Sequence, residues 1–197
     1  KLIVDLKGVE FGNKGAELML HAVLGRLRAG LPDVEFALTP GPNAPYRRVA
    51  AVGAWQRLRM PGGRIDVGAL SYAVPRRFRR VARRYGVVME PDVAAVVDAS
   101  GFAYGRVWGD RPLDSVAREV ERLARRRKPY VFLPQAFGPF DGTRAAARFG
   151  RALSRASLVC ARDAESRAHL ASLSGAAGAP IEQYPDFTLD VPGDPEA

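Results

Sequence analysis

Cysteine and histidine are nearly absent: Cys160, His21 and His169 are the whole supply in a chain of 197 residues. A lone thiol closes no internal disulfide and two imidazoles do not build a histidine-rich metal site, which excludes a secreted disulfide scaffold and a zinc module. No run of about 18 apolar residues occurs, so no spanning helix is expected. The apolar start, Leu2-Ile-Val, meets Asp5 after three residues, too few for a signal-peptide core. A reducing, cytoplasmic setting is the expectation. Acidic residues are also outnumbered, 21 against 30 basic ones, for a net charge of +9.

What is present suits one globular domain: with 47% hydrophobic residues, a chain of this size hides roughly 70% of its unfolded surface without staples. The chain lacks an initiator Met and ends in a Pro/Gly/acidic stretch, which is expected to open an interdomain linker over residues 191–197 after a domain spanning 1–190. All but four of the basic residues are arginine, and six of them fall in one short segment: Arg76, Arg77, Arg79, Arg80, Arg83 and Arg84. Val74, Phe78, Val81 and Tyr85 recur through it at helical spacing, which predicts a basic amphipathic helix able to meet an anionic membrane surface at the inner face of the membrane. No nucleic-acid motif accompanies this charge, so no nucleic-acid partner is expected.

Strand and helix signals alternate. Apolar runs at 2–6, 34–38, 93–97, 130–133, 158–161 and 182–184 read as strands, and amphipathic stretches at 15–29, 112–127, 143–156 and 164–173 as helices. Residues 39–61 carry Pro40, Gly41, Pro42 and Pro45 and are expected to hold no lasting regular structure. Such alternation implies right-handed βαβ units, hence an α/β, Rossmann-like, doubly wound and mostly parallel sheet with helices on both faces.

Ligands of such sheets lie outside the carboxyl ends of the strands, so the strand-end segments hold the candidate site. The first is Gly8-Val-Glu-Phe-Gly-Asn-Lys-Gly15, where Gly12, Asn13, Lys14 and Gly15 put glycines, a cap and a cation at a helix start suited to an anion or a hydroxyl-rich ligand. It lacks the spacing of a dinucleotide fingerprint and the Lys-Ser/Thr pair of a nucleotide loop. The second, Asp98-Ala-Ser-Gly-Phe-Ala-Tyr-Gly105 with Trp108 beyond it, offers Asp98, Ser100, Gly101 and Tyr104 beside aromatic faces, a surface that suits sugars. The third, Leu133-Pro-Gln-Ala-Phe-Gly-Pro-Phe140, adds Gln135, both donor and acceptor. The fourth, Ala161-Arg-Asp-Ala-Glu-Ser166, contributes Arg162 and a helix-capping Asp163; the fifth, Tyr184-Pro-Asp-Phe187, contributes Asp186. Asp98 and Asp186 are the catalytic candidates, with Asp163 secondary; no nucleophile, base and orienter triad is visible, and the histidines and Cys160 read as structural.

In their order along the chain these five segments resemble the polysaccharide pyruvyl transferase family, from about residue 3 to 190. The resemblance implies one half, the acceptor-binding one, of a two-domain GT-B-like enzyme with two facing Rossmann-like halves. It implies transfer of an enolpyruvyl unit from phosphoenolpyruvate onto two hydroxyls of one sugar, forming a ketal on a cell-surface polysaccharide or its lipid-linked precursor. Phosphoenolpyruvate would be donor substrate, with no cofactor and no metal. The family's donor-binding positions would lie in the second half of the chain, so this half is expected to be inactive alone. Two other readings stand beside it: the acceptor half of a nucleotide-sugar glycosyltransferase, and a noncatalytic anion-binding α/β module resting on the arginine-rich helix.

Overall fold

The computed structural model describes residues 1–59 and 66–190. The expected linker at 191–197 and the last two residues of the proline-rich segment lie outside them. β1 (Leu2–Lys7) is buried at four consecutive residues, the pattern of a parallel strand covered on both faces. α1 (Lys14–Gly30) follows, capped by Asn13, and leads to β2 (Val34–Leu38). Then come α2 (Tyr46–Ala51), β3 (Trp55–Arg57), the short α3 (Val67–Leu70), α4 (Arg76–Arg84) and β4 (Val87–Val88). The second half runs β5 (Ala95–Asp98), α5 (Asp110–Ala124), β6 (Tyr130–Gln135), α6 (Arg144–Leu153), β7 (Leu158–Ala161), α7 (Ala164–Ser172) and β8 (Ile181–Gln183).

The strands form one sheet, all neighbours parallel, in the order β4-β3-β2-β1-β5-β6-β7-β8. Right-handed crossovers on the two outward runs put the intervening helices on opposite faces. Val4, Leu6, Phe36, Leu38 and Val97 pack with Leu20 and Leu24 of α1 and Val49 of α2. Ile3, Val96, Tyr130, Phe132 and Val159 pack with Val116 and Val120 of α5, Phe149 of α6 and Leu170 of α7.

The expectation for residues 39–61 is corrected by α2 and β3. The proline run ends at Pro45, which occupies the N-cap position of α2, where its missing N–H costs nothing. Val49 is then fully buried, and β3 is anchored by a Trp55 Nε1 hydrogen bond to Glu35 at 2.9 Å. β4 pairs only two residues, too few for any period to betray it. The arginine-rich helix forms, but none of its residues is buried: Phe78 and Val81 are 53% and 50% exposed, and Tyr85 at its C-cap is 75% exposed.

Charged residues also enter the core. Arg57 is the largest fully buried side chain; its Nε donates to Asp5 at 3.1 Å and its Nη2 to Glu90 at 3.2 Å. Arg122 of α5 grips Glu90 with two bonds, at 2.5 and 2.7 Å, and reaches Asp66 at 2.7 Å. Burial raises the Asp5 carboxyl above its ordinary value, a shift that the Arg57 charge opposes. Removing one partner of such a pair strands a charge away from water, so Arg57→Met is expected to cost about 3–5 kcal/mol in urea unfolding. The double variant with Asp5→Leu recovers most of that loss, because Glu90 keeps Arg122.

Candidate functional site

The chain steps outward from β1 to β4, returns to β5 beside β1, and steps outward again to β8. The loops that leave β1 and β5 therefore part in opposite directions and open a crevice at the carboxyl ends of these two strands. Two adjoining cavities, of about 530 and about 580 Å³, occupy it and share Gly8, Glu10, Ser100, Ala103 and Pro112. The first is closed by Thr39–Ala44 after β2 and has Lys7, Arg59, Tyr104 and Arg111 on its walls. The second lies against the start of α1, with Asn13, Gly15 and Met19 on one side and Phe102 and Trp108 on the other. Those two aromatic rings meet edge to face, 6.3 Å between centroids, and both are exposed.

Glycine makes this closeness possible at Gly8, where φ is +78° and a Cβ would stand 2.2 Å from the Ser100 Cα. Gly12 does the same for the loop after β2: a Cβ there would lie 2.8 Å from Asn43 Cγ.

Beneath the cavities the side chains form one network. Asp98 is wholly buried: Oδ1 accepts from the Ser100 amide at 3.1 Å and hydroxyl at 2.5 Å, and Oδ2 from the hydroxyls of Tyr104 at 2.5 Å and Tyr130 at 2.6 Å. Lys7 Nζ donates to Tyr130 at 3.0 Å and to Glu119 at 3.2 Å, and lies 3.4 Å from Asp98. Arg59 takes Glu119 with two bonds, at 3.0 and 2.8 Å. Burial alone would lower the Lys7 pKa, but Tyr104, Glu119 and Asp98 outweigh it and raise it. Burial alone would raise the Glu119 carboxyl, but Arg59 and Lys7 outweigh it and hold it down at about 2. Burial also raises the hydroxyls of Tyr104 and Tyr130, with Asp98 adding to the shift, so both remain hydrogen-bond donors at neutral pH.

The structure brings together Asn13, Gly15, Ser100, Gly101 and Tyr104 around the crevice and sets Asp98 under it. Asn13 caps α1, its Oδ1 accepting from the Gly15 amide at 2.8 Å. Gly12 packs on Asn43 behind the rim. Lys14 points into solvent, 95% exposed, and pairs with Glu17 at 3.1 Å. Gln135 is fully buried, and its Nε2 lies 3.5 Å from the Asp98 carbonyl. Arg162 lies 3.6 Å from Asp186 and 4.0 Å from Asp163, beyond β7 and away from both cavities; Asp163 caps α7 through the Ser166 amide at 2.7 Å. Sequence reasoning passed over Lys7, Glu10, Arg59, Arg111 and Glu119. A signal existed for Glu119: it follows Val116 by three residues and precedes Leu123 by four, a charge on the stripe that α5 buries. Among the described residues no group of three or more His, Cys, Asp or Glu side chains is placed to hold a metal ion.

A family model described as polysaccharide pyruvyl transferase matches residues 13–197. No curated protein and no solved structure matches.

The low Glu119 pKa has a consequence for stability. With a folded value of about 2 against an ordinary 4.5, the stability contributed by its ionisation is complete above pH 4.5 and is lost as pH falls from there towards 2. Glu119→Gln is expected to be less stable at pH 7 by about 3–5 kcal/mol, since Lys7 and Arg59 lose their shared counter-charge. The gap between variant and parent, read from urea midpoints, should narrow across that acid window.

Proposed function

Because the chain belongs to the polysaccharide pyruvyl transferase family, we propose that it moves a pyruvyl group from phosphoenolpyruvate onto two hydroxyls of one sugar, as a ketal. In this reading the described domain is the acceptor half of a GT-B-like two-domain enzyme, whose donor half follows it, and the acceptor is a cell-surface polysaccharide or its lipid-linked precursor. The observation that carries the acceptor role is the crevice itself: an exposed aromatic pair, Phe102 and Trp108, faces the start of α1 across a cavity of about 580 Å³, room enough for a hexose. Aromatic faces cover the C–H faces of a sugar while amides and hydroxyls order its hydroxyl groups.

Ketal formation protonates the enol carbon, expels phosphate, passes through an oxocarbenium-like centre, and releases a proton from each attacking hydroxyl. Asn13, the start of α1 and the 100–104 segment bind the acceptor, and Lys14 stands at the rim. Asp98 acts from below by fixing Ser100 and Tyr104, and Gln135 by supporting the Asp98 backbone. Arg162 and Asp186 pair with each other beyond β7, outside both cavities, and in this reading they face the second half rather than the acceptor.

The arginine-rich helix supports a location at the inner face of the membrane. Arg79 is held by an ion pair with Asp92, and Arg83 lies over the Trp55 ring at 5.5 Å. Arg76, Arg77, Arg80 and Arg84 stay exposed beside Phe78, Val81 and Tyr85. Cations interleaved with exposed apolar groups suit anionic headgroups and the acyl boundary beneath them.

The full-length chain is expected to release phosphate from phosphoenolpyruvate only when an acceptor hexoside is present; release with no acceptor dependence, or none with any acceptor, refutes pyruvyl transfer and turns attention to a nucleotide-sugar donor. Trp108→Ala should raise the acceptor KM about tenfold, within the range of an aromatic contact, at unchanged Tm. Replacing Arg76, Arg77, Arg80 and Arg84 with Ser should abolish sedimentation with phosphatidylglycerol vesicles, each arginine contributing about 1 kcal/mol. Equal binding by parent and variant would remove the helix from that role.

A further inference from the structure

The two cavities of the crevice meet along one shared wall. Glu10, at the border, is the only carboxylate lining either cavity among the described residues. The other carboxylates of the network do not compete for this place. Asp98 is fully buried with both oxygens occupied by donors, and Glu119 is committed to Lys7 and Arg59. Glu10 is half-buried, and its hydrogen bonds come from one neutral amide, Asn43 Nδ2, at 3.2 and 3.1 Å to its two oxygens. An ionised carboxylate has about four lone-pair sites, so capacity for hydroxyl donors remains on both oxygens. No ion pair neutralises it among the described residues, although the chain as a whole carries a charge of +9.

Its surroundings suit a sugar hydroxyl. Phe102 and Trp108 form the far wall of the second cavity, and the Ser100 hydroxyl, turned towards Asp98, stands on the same border. The Asn43 bond ties the loop after β1 to the loop after β2, which fixes the carboxylate before any ligand arrives.

We propose that Glu10 is the carboxylate that grips the reacting hydroxyl of the acceptor and takes its proton. This rests on the reading of the crevice as the acceptor site of a pyruvyl transferase. In the step that closes the ketal, phosphate has already left with the electron pair of its C–O bond. The hydroxyl oxygen then gives a lone pair to the electron-deficient carbon, its O–H bond breaks, and the proton passes to Glu10 and on to water.

The test uses the full-length chain, a panel of 4-nitrophenyl hexosides in calorimetric titration, and acceptor-dependent phosphate release from phosphoenolpyruvate. Glu10→Gln keeps an acceptor for Asn43 but removes the charge. It should retain the parent Tm, weaken hexoside binding at least tenfold, slow turnover by about 10²–10⁴, and lose the acid limb of the pH–rate profile. Glu10→Asp should recover part of the rate, and Asn43→Ala should lose less than Glu10→Gln. Parent-like binding and turnover in Glu10→Gln overturns the proposal. So does an equal loss in Glu10→Gln and Asn43→Ala with a lowered Tm in both, because that is the signature of a loop staple. If the parent binds a hexoside through Glu10 yet releases no phosphate, the hydroxyl grip stands while pyruvyl transfer and the proton role fall. A parent that binds no hexoside overturns both.

Discussion

A carboxylate removed from water at the end of β5 governs the site. Asp98 carries no solvent exposure, and a polar group in that position is tolerated only when hydrogen-bond partners replace its hydration. Ser100 supplies an amide and a hydroxyl, and Tyr104 and Tyr130 supply their phenols. Each bond fixes something useful. The Ser100 pair folds the segment after β5 back on itself, the Tyr104 bond pulls its far end under the first cavity, and the Tyr130 bond ties it to β6. The flexible-looking segment Ser100–Tyr104 is thereby held from both ends, and the crevice walls inherit that rigidity.

The charged layer between the sheet and α5 extends the same logic. Ile3, Asp5 and Lys7 alternate onto the α5 face of β1, so two of its three side chains there are ionic. Arg57, Arg59 and Arg122 complete pairs with Asp5, Glu119 and Glu90, and the pairs link β1, β3, α5 and the turn before β5. Buried pairs contribute little net stability over an apolar core of the same shape, because desolvation offsets attraction. They do penalise any register in which a partner is missing, and the neighbouring elements here are short: β3 has three residues and β4 two. For strands that brief, ionic matching supplies the pairing specificity that length supplies elsewhere.

Several elements were legible because one local rule decided them. β2 and β7 coincide with their apolar runs at 34–38 and 158–161, and Asn13 and Asp163 cap helices as their residue types require. α2 and β3 were not legible, since the proline density just before them masked a short helix that starts on Pro45. The amphipathic pattern of the arginine-rich segment correctly announced a helix, yet it said nothing about whether Phe78, Val81 and Tyr85 would find cover. The strand-end loops expected to hold a site after β1 and β5 do line the two cavities, while Asp98 and Gln135, chosen as residues that touch a ligand, are buried and line neither. A residue type and its position after a strand indicate chemistry, but they do not tell whether a side chain stands above or below the loop backbone.

Local pattern alone determined the alternation of strand and helix, the parallel class of sheet that follows from it, and the order of the five strand-end loops. Those properties depend on neighbours within a few residues of one another. Tertiary structure alone decided that the strand order switches direction between β1 and β5, that residues 7 and 119 form an ion pair, and that Glu10 stands between two cavities. Such pairings join positions tens of residues apart, and only the crossover geometry and the packing of α5 on β1 bring them within hydrogen-bond reach.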